Sequence, residues 1–230
     1  EGLVGSEMCI RDRAYVAQRT AGTWAFTDEL RASNPQNNAN FGRQVAINTN
    51  GGGTTNYIVG ANAFDVNLGT ADNLLAFDFG TAYIYRGNTG AIGSEQQLDM
   101  ASIALTNEDL SARAQQGRRV DIAGDFAIVG APSGRKVAGA AVGAGDDQPG
   151  VAYIYQRNDQ GTVDVSDDTW TLLQTLENAD NDTDDFFGHG VAISDDASTI
   201  VVGAYDNNSD QGDVYVYTHN SGTGQFDLEG

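Results

Sequence analysis

Short stretches rich in Val, Ile and Tyr recur along the chain, separated by segments dominated by Gly, Asn and Asp. β-Branched and aromatic residues suit a pleated surface, while Gly, Asn and Asp supply the conformations of tight turns. The pattern predicts strands and turns and no helices. Two stretches, Tyr57 to Ala61 and Val214 to Tyr217, are apolar at consecutive positions instead of alternating. Strands of that kind are expected to be covered on both faces.

The stretches come in a fixed order that repeats. Phe41-Gly42-Arg43-Gln44-Val45-Ala46-Ile47 is followed by Tyr57-Ile58-Val59-Gly60-Ala61 and then by Gly80-Thr81-Ala82-Tyr83-Ile84-Tyr85. The same succession runs from Gln116-Gly117 through Gly130-Ala131-Pro132 to Gly150-Val151-Ala152-Tyr153-Ile154-Tyr155. It returns from Phe187-Gly188 through Val202-Gly203-Ala204 to Gly212-Asp213-Val214-Tyr215-Val216-Tyr217. The leading glycines stand 75 and 71 residues apart, at 42, 117 and 188. A further element carries a Trp six residues before a Leu, at Trp24 and Leu30 and again at Trp170 and Leu176.

Four apolar stretches per repeat, doubly covered, predict small antiparallel sheets stacked on like sheets at either side, as in a β-propeller. A two-sheet sandwich would give alternating strands and no repeat of this length. The fold expected is all-β: about three four-stranded antiparallel blades of an incomplete propeller ring. The division expected is the end of one blade over 14–30, blades over 31–105 and 106–177, and a nearly complete blade over 178–230. Missing neighbours would leave the end blades with bare apolar faces, so the chain is expected to aggregate or stay partly unfolded when made alone.

The Phe-Gly and Gly-Ala-Pro elements resemble FG-GAP repeats, as in the propeller of integrin alpha subunits and many bacterial surface proteins. The fit is closest at Phe41-Gly42, Phe187-Gly188 and Gly130-Ala131-Pro132, and Gly60, Gly117 and Gly203 occupy the matching glycine positions. The resemblance implies an extracellular or cell-surface binding module, with a protein or glycan ligand and the rest of the same propeller as partners. Gln116 departs from the pattern where Phe is usual, and Asn62 and Tyr205 stand where Pro is usual. Calcium-binding members carry an Asp-x-Asp-x-Asp-Gly loop between the two elements, and none of the corresponding segments here supplies it, so that site is not carried over. Independently of the family, Gly60, Gly130 and Gly203 end a strand next to Ala, and a glycine there permits close approach of a neighbouring backbone.

Composition narrows the partners. The net charge is -20 and the pI about 4.1, with Lys136 the one lysine among 12 basic residues. Such a surface repels nucleic acid and anionic lipid. No apolar run approaches the roughly 18 residues that suggest a membrane helix. Residues Leu3 to Asp12 back-translate to a transposase-end adapter used in sequencing libraries, so 1–13 are set aside as foreign and the chain is expected to be a piece of a longer protein. The one cysteine, Cys9, goes with them.

In an up-and-down blade the connection between strands two and three and the connection into the next blade emerge at the same edge. Those are the long segments, 62–79, 132–149 and 205–211 together with 31–40, 99–115 and 177–186. Long loops on a rigid scaffold commonly carry binding, and Asp65, Asp72, Asp146, Asp147, Asp206 and Asp210 are their candidate contacts. Asp180, Asp182 and Asp184 alternate as calcium ligands do. Against calcium, Asp185 stands at the position where an EF-hand needs Gly and Ala192 where it needs a bidentate acid. The plainer reading is a solvated acidic turn, and no cofactor is required.

Enzymatic readings find little. His189 and His219 are the two histidines, neither has a second ligand at zinc spacing, and no Gly-x-Ser-x-Gly elbow occurs. Residues 139–145 are rich in Gly and Ala but lack the lysine of a phosphate loop. The recurring tyrosines are read as packing between blades and not as a sugar platform. A carbohydrate-active lyase or glycosidase remains the alternative, with Asp121 and Arg118 near a first strand as its hints, and a passive spacer is the third reading.

Overall fold

The computed structural model describes residues 13–49, 53–67, 75–76, 79–88, 90–98, 114–133, 149–162, 164–178, 185–206 and 211–229. Described elements are all strands. β1 (Arg13–Thr20) and β2 (Thr23–Arg31) form a hairpin, and two short strands, β5 (Val66–Asn67) and β6 (Leu75–Ala76), form another. The remaining strands make three four-stranded antiparallel sheets, each in plain up-and-down order. The first contains β3 (Phe41–Thr49), β4 (Thr55–Ala61), β7 (Thr81–Asn88) and β8 (Ala91–Gln97). The second contains β9 (Arg119–Ala123), β10 (Phe126–Ala131), β11 (Val151–Asn158) and β12 (Thr169–Glu177), and the third β13 (Gly190–Ile193), β14 (Thr199–Ala204), β15 (Asp213–Asn220) and β16 (Gln225–Leu228). No described helix is long and apolar enough to cross a membrane.

Each sheet is a blade with two apolar faces, and the period-two geometry of a strand sorts residues between them. In the first blade Tyr57, Val59, Tyr83 and Tyr85 pack with Leu30 and Phe41, on the side of the β1–β2 hairpin. Ile58, Ala82 and Ile84 point the other way and meet Val120, Val129, Tyr153, Tyr155 and Trp170 of the second blade. Ile128, Ala152 and Ile154 of that blade meet Ile193, Ile200, Val202 and Tyr217 of the third. In the first two blades the central-strand tyrosines thus face backward while Ile58, Ile84, Ile128 and Ile154 face forward, whereas Ile193 and Ile200 of the third blade share its backward face with Tyr217. Ile58, Ile128 and Ile154 are fully buried, and burial on this scale contributes roughly 1.5–3 kcal/mol per side chain.

The third blade departs from the expectation of double coverage. Its backward face is buried, but Val214 is 68% exposed, and Val216 and Leu228 are also exposed, because no sheet follows it. The β1–β2 hairpin likewise leaves Tyr15, Trp24 and Phe26 in the open, with Phe26 at 82%. The described sheets are therefore an incomplete propeller, with apolar surface at both open ends. Residues 1–12 of the adapter-like segment lie outside the described residues, and Arg13 begins β1 opposite Arg31.

Blades are locked to one another near their first strands, which lie side by side toward the axis. The Gly124 amide donates to Asn48 Oδ1 at 3.1 Å, and the Asn56 amide group donates to the Gly124 carbonyl at 3.2 Å. One blade on, the Ile193 amide donates to Asp121 Oδ2 at 2.9 Å. Toward the rim, Trp170 exchanges two backbone bonds with the Gln96 amide and Phe226 does the same with Gln174. An ion-pair chain closes the first junction. Asp168, 5% exposed, accepts from Arg86 of β7 and from Arg157 of β11, and Arg157 also reaches Asp125.

Candidate ligand-binding face

One edge of every blade is built from the start of strand one, the end of strand two and the start of strand three. Phe41 stands opposite Ala61, and Ala61 opposite Thr81. The connections between second and third strands and those into the next blade all emerge there, as the repeat predicts. The opposite edge carries the tighter turns 124–125 and 194–198. In the latter, Asp196 Oδ1 accepts from the hydroxyls of Ser194 and Ser198 and from the Ser198 amide, which pulls its carboxyl down to about 2.

The Gln116-Gly117 and Phe187-Gly188 segments are turns inserted into the preceding blade. The Gln116 amide donates to the Phe79 carbonyl at 2.9 Å, and the Phe187 amide to the Pro149 carbonyl at 2.8 Å. Gly80 and Gln116 form a parallel bridge, as do Gly150 and Phe187. Space is tight where the turn enters. A Cβ on Gly60 would lie 2.0 Å from the Gly117 carbonyl oxygen, and one on Gly130 2.1 Å from that of Gly188. The expected close approach is therefore present at Gly60 and Gly130. It is absent at Gly203, where a Cβ would meet only Gly190, at 3.9 Å, because no following blade inserts a turn.

The three turns share one backbone conformation. Asn40, Gln115 and Phe186 have φ of 66°, 54° and 52°, and Gly42, Gly117 and Gly188 have φ of 88°, 81° and 86°. The amides of Arg43, Arg118 and His189 close them onto the carbonyls of Asn40, Gln115 and Phe186 at 2.9, 3.0 and 3.0 Å. The residue between anchors the turn: Phe41 lies edge-on to Tyr83 at 5.5 Å and Phe187 to Tyr215 at 5.2 Å. Gln116, fully buried in Phe's place, donates to the Tyr155 hydroxyl at 3.0 Å and leaves its own Oε1 without a partner.

A second feature of these turns lies outside the Phe-Gly and Gly-Ala-Pro elements, although its signal is in the sequence. The position after the Phe-Gly or Gln-Gly pair holds Arg43, Arg118 and His189 in turn, with Arg119 next to Arg118. Cationic or potentially cationic side chains thus stand at the same point of three consecutive blades. Arg118 donates to the Gln115 side chain, Arg119 donates to the Arg118 carbonyl at 3.0 Å, and the buried Nε of Arg118 has no partner. Partial burial, together with Arg43 and Arg119 nearby, weakens Arg118's hold on its proton. Partial burial and the Arg118 and Arg119 charges likewise lower the His189 pKa, with Asp206 opposing them. Beside them Phe186 stacks on Tyr205 with centroids 4.9 Å apart, and His189 meets Tyr205 edge-on at 4.7 Å.

The acidic candidates divide. Asp65 and Asp206 lie on this edge. Asp65 is held by its backbone, whose amide donates to Gln36 Oε1 at 2.7 Å and whose carbonyl accepts from Gln36 Nε2 at 2.8 Å. Asp72, Asp146, Asp147 and Asp210 lie outside the described residues, as do the calcium candidates Asp180, Asp182 and Asp184. The flanks of that last segment are described: Asn178 donates to buried Asp185 at 2.7 Å and accepts from the Tyr215 hydroxyl at 2.7 Å. Among the described residues, no group of three or more His, Cys, Asp or Glu is placed to hold a metal. His219 packs against Phe126 and Phe226 in the core of the last junction. Asp121, the carboxylate that hinted at catalysis, has one oxygen on the Ile122 amide and the other on the Ile193 amide.

A family model for the FG-GAP repeat matches residues 170–217. The matched unit begins on the fourth strand of one blade, β12, and continues through the first three strands of the next. No curated protein matches the chain in sequence. Residues 170–217 thus match the FG-GAP repeat, and with three sheets of one topology, the second and third inserting their Gln-Gly and Phe-Gly turns into the blade before, the described blades form an incomplete β-propeller.

Proposed function

We propose that the chain is a non-enzymatic binding module of an extracellular or cell-surface protein, and that it presents its ligand site on the edge where the Phe-Gly turns insert. The observation that carries this reading is convergence. Three blades bring their long connections to one edge, on a frame fixed by inter-blade backbone bonds, and variable loops on a rigid frame are a common basis for recognition. The FG-GAP match supports a surface location, since such repeats are typical of extracellular proteins.

The enzymatic alternative needs carboxylates or a proton-transferring pair converging from several blades. Asp121 is tied to backbone amides, and Arg118 lies among other cations. Binding therefore accounts better for the described residues. The test is display of the chain against arrays of glycans, matrix proteins and cell-surface proteins, with a variant in which only the loop interiors 68–74, 134–148 and 207–210 are replaced by short neutral turns, leaving Phe64, Phe79, Pro149 and Tyr205 in place. Capture that is lost on replacement is expected. Capture of nothing, or capture indifferent to the loops, would contradict the proposal.

A further inference from the structure

The molecule carries 32 acidic and 12 basic residues, so a cluster of cations without an ion pair among the described residues stands out. Among the described arginines, Arg13 and Arg31 pair with Glu29, Arg86 with Asp168, and Arg157 with Asp125 and Asp168. Arg19 donates to the Gly22 carbonyl. Among the described residues, Arg43, Arg118 and Arg119 have no carboxylate partner, and Arg43 and Arg119 lie close enough to Arg118 to oppose its charge. Gathering like charges without counter-ions is unfavourable unless a ligand supplies them. The turns hold them there by backbone geometry repeated from blade to blade.

We propose that this rim, Arg43, Arg118 and Arg119 with the Phe186–Tyr205 pair beside it, binds an acidic glycan through uronate carboxylates or sulfate esters on its pyranose rings. The inference rests on the binding-module reading and names the ligand class for its site. Guanidinium groups match carboxylate and sulfate oxygens with paired N–H donors. The Phe186–Tyr205 stack, with Tyr205 half-exposed, places aromatic surface for a sugar ring beside those donors. A charged peptide would use the cations but has no need of the aromatic pair. The overall negative charge does not forbid binding, since at physiological ionic strength charges beyond about 8 Å are largely screened.

The experiment uses the full chain and four probes in calorimetric titration: a uronate tetrasaccharide, a sulfated tetrasaccharide, a neutral tetrasaccharide of the same linkage and a Glu-rich peptide of matching charge. One or both acidic sugars are expected to bind, and which one does identifies the anionic group. The neutral sugar and the peptide are expected to bind at least about tenfold more weakly. R43Q is expected to weaken the acidic sugar about tenfold, and R118K, which keeps the charge but loses the fork, severalfold. R19Q, on an exposed hairpin, is the control expected to change nothing, and equal thermal melts establish that the variants fold. Acidic sugars that fail to bind, bind R43Q and R118K as well as the parent, or bind more weakly than the peptide would overturn the inference. If array capture still depends on the loops while R43Q and R118K leave it intact, the binding module stands and the anionic rim falls; indifference to both changes removes both.

Discussion

At the scale of single residues, the junctions depend on atoms that are missing. Gly60 and Gly130 leave room for the carbonyls of Gly117 and Gly188, which a Cβ would overlap at 2.0 and 2.1 Å. Neither neighbour is a flexible side chain that could swing aside, so the blades themselves must separate. Gly60→Ala and Gly130→Ala are expected to lower stability by about 3 kcal/mol or more, whereas Gly203→Ala should leave the melting temperature nearly unchanged. Thermal melts of the three variants check this, and a Gly203→Ala loss as large as the others would contradict it. The three glycines are indistinguishable in the repeat. Their sequence context marks a place where a backbone can approach, but whether one does depends on the presence of a following blade.

Between elements, the polar chain Arg86–Asp168–Arg157–Asp125 joins the third strand of one blade to the third strand of the next and to the turn that leads into its fourth. Removing the shared acid leaves two guanidinium groups facing each other in a largely buried site, and breaking such a pair costs about 3–5 kcal/mol. Asp168→Ala should lose that much in denaturant unfolding, and a loss below about 1 kcal/mol would mean the network is solvated. The Ser194–Asp196–Ser198 turn adds a pH-dependent contribution. Its carboxyl titrates at about 2 in the fold against an ordinary value of 3.8. The depressed value means that the contribution is fully present above the unfolded value, fades as the pH falls through this interval and is gone below the folded one. The stability gap between the parent and Asp196→Ala should accordingly close between pH 4 and pH 2, about the interval those two values set; a gap constant across that range would contradict the assignment.

The strands themselves were legible because apolar residues at consecutive positions, as in Tyr57–Ala61, leave a strand no exposed face. Links between residues far apart in the chain stayed hidden. Asp168 lies 82 positions from Arg86 and Gln116 lies 39 from Tyr155, and neither pairing leaves a local pattern. The rim of Arg43, Arg118 and His189 was in principle readable from its recurrence after each turn glycine, but charge there becomes notable only once the turns are seen to share one edge.

For the whole molecule, the repeat acts as a set of sheets that carry a face for the blade before and a face for the blade after. The tyrosine face of the third blade is buried while its forward face, with Val214 and Val216, is bare. The same logic bears on the proposed site. The edge that receives the inserted turns is also the edge where the long connections emerge and where Arg43, Arg118 and Arg119 lie, so under the proposed binding role the stacking of blades also assembles the site. The most direct measurement of that claim is a nuclear Overhauser spectrum of the labelled chain, recording which residues lie against Gly60 and Gly130. Radially stacked blades predict cross-peaks from Gly60 to Gly117 and from Gly130 to Gly188, with none from Gly203 to a following turn. Gly60 and Gly117 without contact, in a chain that is otherwise folded, would contradict the stacking and with it the ligand-binding edge.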